Sequence, residues 1–588
     1  MDISKVGVVG CGTMGAGICE VVAGAGLPVT FIDMSREHVE AGFERIRRSL
    51  QRRVDRGRLD AAERDEILGR IHGDTRDEAL ADADLVIEAV PEVLAVKQET
   101  ARRLDAIMKR DAIFATNTSS LGVMDVAVHT HRPDRVLGFH FFNPAPVMEL
   151  IELITTVMTA PDVITTARSF AHAIGKQPVV ARDRAGFVAN LLLFPYLNQA
   201  AGLYETGYAS REDIDSAMQL GAGHPIGPLA LIDLIGLDSA TSIMERMYEQ
   251  FRDARYAPRP IIRHLLTAGY MGRKSGRGFY AYARPGSGRV SATDVPATVE
   301  PDPSVIAGWS RIGVLGSGLM ASGIAEVCAK AGFEVVLRAR SVAKGEAAVS
   351  RIGESLHRAV QKGKLDATDR EAAIDRIRVT EAFGDFGDCD LVIEAVTEDL
   401  GLKRQLFAAL DGHTKPAAVL ATTTSSLSVI QCAMATSRPE RVVGLHFFNP
   451  AAIMRLVEIA PTVRTADEVV AQGRALVAKL GKHGAHCADR AGFIVNALLF
   501  PYLNDAVKML ADGYATASDI DTAMRLGCGH PMGPFQLMDV VGLDVTLKVM
   551  KVLYSEFRHQ GYLPSPLLEN MVAVGYLGRK VGRGFYVY

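Results

Sequence analysis

The chain repeats itself at one fixed distance. GFHFFNPAPVMELIEL, starting at Gly138, returns as GLHFFNPAAIMRLVEI at Gly444. DRAGFVANLLLFPYLN at Asp183 returns as DRAGFIVNALLFPYLN at Asp489, and GYMGRKSGRGFYAY at Gly269 as GYLGRKVGRGFYVY at Gly575. Every pair is 306 positions apart, so neither copy has a net insertion between these landmarks. Solenoid repeats run to roughly 20–50 residues; a period this long describes a whole protein duplicated in tandem. Copy one covers about residues 1–282 and copy two about 309–588. The intervening segment is polar, carries Pro285, Pro296, Pro301 and Pro303, and reads as a semi-extended linker.

Within copy one, KVGVVG, LPVTFID, DLVIEAV, AIFATN and RVLGFHFF are short apolar runs bounded by turn signals. Segments with helical spacing, such as REHVEAGFERIRRSLQRRVDRG, lie between them. Strands alternating with helices predict a parallel sheet covered on both faces. From about Ala185 the pattern is helical only. The expected architecture is an α/β Rossmann-like domain (1–185), an all-α domain (186–282), a linker (283–308), and the same pair again (309–491 and 492–588).

Composition excludes several classes. Apolar residues make up 48% and charged residues 23% of the 588-residue chain, as in ordinary globular proteins. A formal net charge of −3 offers no general basic field for nucleic acid. The seven cysteines contain no CxxC pair, so neither a disulfide framework nor a zinc site is expected, and no metal. No apolar stretch approaches the roughly 20 residues of a membrane span, and MDISKVGVVG runs into a strand without a leader pattern. The expectation is a cytoplasmic protein with no membrane partner.

VGVVGCGTMGAG places Gly10, Gly12 and Gly15 directly after the first strand, and the next strand ends in Asp33. The first glycine permits a tight turn, the second lets backbone approach a pyrophosphate, and the third lets helix pack on strand. A carboxylate about 20 residues on suits ribose hydroxyls and repels a 2′-phosphate, so copy one is expected to bind NAD. Copy two keeps Gly316 and Gly318 but has Ala321 third, and Ala339 stands where Asp33 would, between Arg338 and Arg340. Two guanidiniums there suit a 2′-phosphate; equally, this copy has lost cofactor binding and the arginines are solvated. NAD or NADP stays open for copy two.

His140 follows an apolar strand and Glu152 lies twelve residues later, a spacing kept by His446 and Glu458. A neutral imidazole can take the proton of an alcohol losing hydride, and a nearby carboxylate would orient the ring and stabilise the imidazolium.

With ATNTSSL, GFHFFNPAPVMELIE, DRAGFVAN, GAGHPIGPLALIDLIGLD and GRKSGRGFY in order, nearly all of both copies resembles the L-3-hydroxyacyl-CoA dehydrogenases, particularly the 3-hydroxybutyryl-CoA type. The resemblance implies a Rossmann-like domain, a helical domain that often dimerises, and an acyl-CoA substrate in the cleft between them. It makes His140 the acid/base and Glu152 its partner, with Ser119 and Asn190 holding the substrate's 3-oxygen or carbonyl. Cofactor contacts fall on Asp33, Glu92, Lys97, Asn143 and Lys274; pattern alone would make Glu92 and Lys97 a solvent-facing charge pair. Ser49 and Arg56 match positions associated with CoA. Their counterparts in copy two are His446, Glu458, Ser425, Asn496, Glu398, Lys403, Asn449, Lys580, Ser355 and Lys362.

One helix carries seven arginines (Arg45, Arg47, Arg48, Arg52, Arg53, Arg56, Arg58), most of them a solvated face and one or two expected at CoA phosphates. In copy two Thr423 replaces Asn117, and Leu191 and Ala497 stand where the family often has arginine. The implied function is reversible oxidation of a 3-hydroxyacyl-CoA with NAD, copy two being slower, NADP-leaning or mainly structural. The fusion implies an internal pseudo-dimer, with further oligomerisation open. The alternatives are a dehydrogenase acting on a free 3-hydroxyacid and a non-catalytic dinucleotide-binding scaffold.

Overall fold

The computed structural model describes residues 3–294 and 300–588. Copy one begins with eight short strands: β1 Val6–Val9, β2 Val29–Ile32, β3 Ile71–Asp74, β4 Leu85–Glu88, β5 Ile113–Thr116, β6 Val136–Phe141, β7 Leu150–Thr155 and β8 Gln177–Arg182. They form one sheet in the order β3-β2-β1-β4-β5-β6-β7-β8. The first six are parallel, in the doubly wound order whose reversal between β1 and β4 opens a crevice at the strand ends. Burial on both faces explains why β1, β4 and β5 read as continuous apolar runs. Copy two repeats the sheet strand for strand.

The expected parallel sheet is present and contains one antiparallel pair, β7 running against β6 before β8 returns parallel to β7. The short β3 carries Gly73 and Asp74 among few apolar residues, which hid it from an apolar-run reading.

After β8 the chain is helical, starting with the long buried helix Ala189–Glu205 and its counterpart Val495–Ala511. These two helices pack on each other across a pseudo-twofold axis. His224 and His530 stack there with ring centroids 4.0 Å apart, each beside a tyrosine hydroxyl, Tyr196 and Tyr502. One continuous apolar core joins both helical domains to one face of each sheet, while the opposite faces have separate cores.

The linker is not a semi-extended spacer at its start. Tyr282 bridges Val290, and the Asp294 carboxylate accepts from the Ala281 N–H (2.5 Å) and pairs with Arg211, folding this stretch back on copy one. Further on, the turn Pro303–Ile306 packs on the helix Asp467–Lys479 of copy two. Residues 295–299, Pro296 among them, lie outside the described residues.

Candidate active site

The β6–β7 hairpin sets His140 directly across from Glu152. Cross-strand partners share a face, so twelve residues of sequence become a contact, His140 Nδ1 lying 2.7 Å from Glu152 Oε2. His446 and Glu458 meet in the same way at 2.6 Å. Both glutamates are completely buried, and the other oxygen of each accepts two backbone N–H groups. These come from Val188 and Ala189 (3.0 and 2.9 Å) and from Ile494 and Val495. They open the two central helices, whose positive ends favour an anion.

Gly186 and Phe187, at φ +85° and +49°, bring those N–H groups round to the carboxylate. The left-handed backbone is strained at Phe187 and places its ring 5.5 Å from the His140 imidazole, while Phe142 covers it at 4.7 Å. Sequence reasoning gave neither phenylalanine a role, although both sit inside the repeated motifs. With Nδ1 committed to the carboxylate, Nε2 is the ring atom left for a proton. In copy one it has no protein partner among the described residues; in copy two Ser425 Oγ lies 3.2 Å from it. Asn190 Nδ2 reaches the Ser119 carbonyl at 3.5 Å, and Asn496 the Ser425 carbonyl at 2.9 Å. Histidine, glutamate, serine and asparagine thus converge where sheet and helical domain meet.

Glu92 is exposed as expected, but Lys97 is not its solvent-facing partner. Lys97 is 1% exposed, its ammonium 2.9 Å from Glu88 Oε1 and 3.3 Å from Glu92 Oε2. Glu88 also accepts from the Thr116 hydroxyl at 2.6 Å; it was missed because it reads as the polar end of an apolar strand. Glu92 accepts from the Thr118 hydroxyl and the Ser119 and Ser120 N–H groups. Burial alone would raise the Glu92 carboxyl, but Lys97 and these donors hold it below the usual carboxylate value. Glu394, Glu398 and Lys403 rebuild the cluster in copy two.

The glycine loop is shaped for a close ligand. Gly10 has φ +85°, and a Cβ on Gly15 would stand 1.8 Å from the Gly10 carbonyl oxygen. A Cβ on Gly12 would meet nothing within 4 Å, and no side chain caps the helix α1 (Thr13–Gly24) that follows. Open space beside uncapped helix N–H groups fits a pyrophosphate. Asp33 directly follows β2 and accepts from the Cys11 N–H at 2.8 Å, while Arg45 donates to the Cys11 carbonyl.

In copy two Gly316 sits at φ +133°, a different loop conformation that accommodates the Ala321 methyl. Arg338 lies 4.0 Å over the Phe383 ring and donates to the Glu381 carbonyl, whereas Arg340 has no such contact among the described residues. Asn143 is exposed. Lys274 and Lys580 are each tied to an aspartate of their own helical domain, Asp238 and Asp544, at 2.5 Å.

The arginine-rich helix α2 (Arg36–Asp55) spends Arg45 on the glycine loop, Arg48 on Glu44 and Arg53 on the buried Glu20. Arg56 caps its C-terminal end, exposed and without a protein partner among the described residues, as does Lys362 in copy two. Ser49 is half-buried; Ser355 hydrogen-bonds the buried Glu326.

Each site also rests on the other copy. The helix Ala517–Cys528 of copy two packs on β7 and β8 of copy one. The helix Arg211–Gly221 packs on the matching strands Leu456–Pro461 and His483–His486. Ala209 bridges Cys487, Asp213 accepts from the His486 N–H, and Arg184 pairs with Asp512. Sequence patterning gave the pseudo-dimer no particular contacts, since periodicity marks an apolar face and not the body it meets.

Among the described residues no helix is long and apolar enough to cross a membrane, and no cluster of His, Cys, Asp and Glu suits a metal ion. Residues 5–184 and 311–490 match the family described as 3-hydroxyacyl-CoA dehydrogenase, NAD binding domain. Residues 186–282 and 492–588 match the 3-hydroxyacyl-CoA dehydrogenase C-terminal domain. A 3-hydroxybutyryl-CoA dehydrogenase of Mycobacterium tuberculosis is 46% identical over 282 residues, 48% of this chain and 99% of that protein. The mitochondrial hydroxyacyl-coenzyme A dehydrogenase of Homo sapiens is 40% identical over 287 residues, 48% of this chain and 91% of that protein. The crystal structure of 3-hydroxybutyryl-CoA dehydrogenase from Escherichia coli K12 superposes with a TM-score of 0.71 at 28% identity, covering 98% of this chain and 99% of that one. With both domain types matched twice, in order and almost end to end, the chain belongs to the 3-hydroxyacyl-CoA dehydrogenase family of oxidoreductases, in tandem duplicate.

Proposed function

We propose that copy one reversibly oxidises an (S)-3-hydroxyacyl-CoA to the 3-ketoacyl-CoA. The observation that carries this reading is the His140–Glu152 pair, its Nδ1 committed and its Nε2 open. Bound NAD supplies the hydride acceptor, and the glycine loop with Asp33 is its site. His140 Nε2 takes the proton of the 3-hydroxyl as the C3 hydride leaves; Glu152 holds the ring and balances the imidazolium. In reverse the imidazolium returns the proton to the ketone oxygen. Ser119 and Asn190 orient the 3-oxygen or thioester carbonyl. Glu92 and Lys97 set the edge between cofactor and substrate, with Asn143 and Lys274 flanking it. Ser49 and Arg56 face the CoA portion.

Copy two keeps the same four side-chain types but has Ala339 in place of a ribose-binding carboxylate, so it is slower with NAD, leans toward NADP through Arg340, or serves as scaffold. The chain functions as an internal pseudo-dimer in the cytoplasm.

Steady-state kinetics over C4 to C16 substrates with NAD and with NADP test this in His140→Ala and His446→Ala chains. His140→Ala is expected to lose about 10²–10⁴-fold of the NAD-linked rate. A loss below tenfold in the His446→Ala background refutes the role of His140, and equal losses with NAD from the two single variants refute the asymmetry. Turnover of acetoacetate in place of acetoacetyl-CoA would favour the free-acid alternative; no NADH oxidation at all would favour the scaffold.

A further inference from the structure

A cavity of about 330 Å³ lies between the two central helices, lined by residues of both copies and remote in sequence from the glycine loops. Its charge is unbalanced. Arg255 is neutralised by Asp505, at 2.7 Å, and by Asp253. Arg259 and Arg490 also line the cavity; Arg259 meets Asn198 through its backbone N–H, and neither guanidinium has a carboxylate or hydrogen-bonding partner among the described residues. Gly202 makes room for the Arg259 guanidinium, which would lie 2.9 Å from a Cβ there. Arg490 is held 4.3 Å over the Phe557 ring. Both guanidiniums act on the Tyr562 hydroxyl, which burial pushes up and they pull back.

The duplicated partner explains the missing counter-charge. Arg184, the counterpart of Arg490, pairs with Asp512 at 3.3 Å. The residue 306 positions before Asp512 is Thr206, which lines the cavity beside Arg490. Where one side of the pseudo-dimer carries its own anion, the other has an uncharged hydroxyl.

We infer that this cavity is a binding site for a small oxyanion of two or more negative charges, held by Arg259 and Arg490 in the place that Asp512 takes beside Arg184. Planar guanidiniums bind such oxyanions through paired N–H groups. The volume is at the low end for ligand sites, which selects a compact ion such as pyrophosphate over a nucleotide. Because the cavity is built from both copies, the bound anion stabilises the joined state by mass action.

Calorimetric titration of inorganic pyrophosphate into the full chain, saturated with NADH and CoA at fixed ionic strength, tests the site. One saturable site per chain is expected. Thr206→Asp, which installs the missing carboxylate, and Arg259→Gln, at an exposed position, are each expected to weaken it at least tenfold while turnover stays unchanged. A rise in thermal midpoint with pyrophosphate should appear in the parent chain and vanish in both variants. No saturable binding, or undiminished binding in the two variants, would overturn the inference.

Discussion

Gly527 of copy two lies against Phe142 of copy one. A Cβ on Gly527 would stand 3.3 Å from that ring and 2.8 Å from the Leu150 side chain, and Gly221 has the reciprocal relation to Phe448 and Leu456. Phe142 in turn covers the His140 imidazole. Gly527→Leu is therefore expected to displace Phe142 and cost about 1–3 kcal/mol in packing. In the His446→Ala background it should lower the His140-dependent kcat at least tenfold with KM for NAD little changed. Unchanged kcat there would show that the contact is only structural.

Lys97→Met removes the cation from between two carboxylates. Breaking a buried ion pair by deleting one partner typically costs about 3–5 kcal/mol, and Glu88 is completely buried. The urea midpoint should fall accordingly, whereas Lys97→Met combined with Glu88→Gln should recover much of the loss. Additive destabilisation in the double variant would contradict the coupling.

Asp33→Ala is expected to raise KM for NAD by roughly ten- to a hundredfold, as expected from losing hydrogen bonds to a charged acceptor worth about 1.5–3 kcal/mol. Its effect with NADP should be far smaller. Ala339→Asp in the His140→Ala background should shift copy two toward NAD. If it changes neither cofactor's KM, copy two does not read its cofactor at this position.

Burial lowers His224 to about 4, and burial together with His224 takes His530 well below its usual value. The unfolded chain takes up these protons below about pH 6.5 while the folded chain refuses them. Stability from this pair is complete above pH 6.5 and is lost as pH falls toward 4, about 3 kcal/mol for His224 alone. The buried Asp215 and Asp521, raised to about 7 and about 6 by burial, act in the opposite direction. The readout is therefore the difference between wild type and His224→Gln in urea unfolding, which should shrink between pH 7 and pH 4.5. A constant difference across that range would mean that the stack does not titrate.

Much of this was legible because regular geometry turns spacing into proximity. A two-residue side-chain period across a hairpin makes a twelve-residue interval between His140 and Glu152 a contact, and a strand followed by glycines marks the cofactor edge. The constant interval of 306 residues announced two copies. The rest depended on partners remote in sequence. Nothing around Lys97 announces that Glu88 folds over its ammonium, nor around Arg338 that Phe383 receives its guanidinium. The left-handed turn at Phe187 is visible only once the helix start and Glu152 are seen together. The contacts from Gly221 and Gly527 to the opposite copy could not be assigned at all, since two nearly identical surfaces compete for each helix.

The interlocked helices carry a consequence for how such a gene diverges. A substitution that unfolds one half withdraws the support beneath the other half's histidine, so the two cannot drift independently even if only one turns over substrate. Natural selection on a single working site would then police folding along the entire polypeptide. Freedom to change would be left away from the crossing helices, at places such as Ala339, just after the strand Glu334–Arg338.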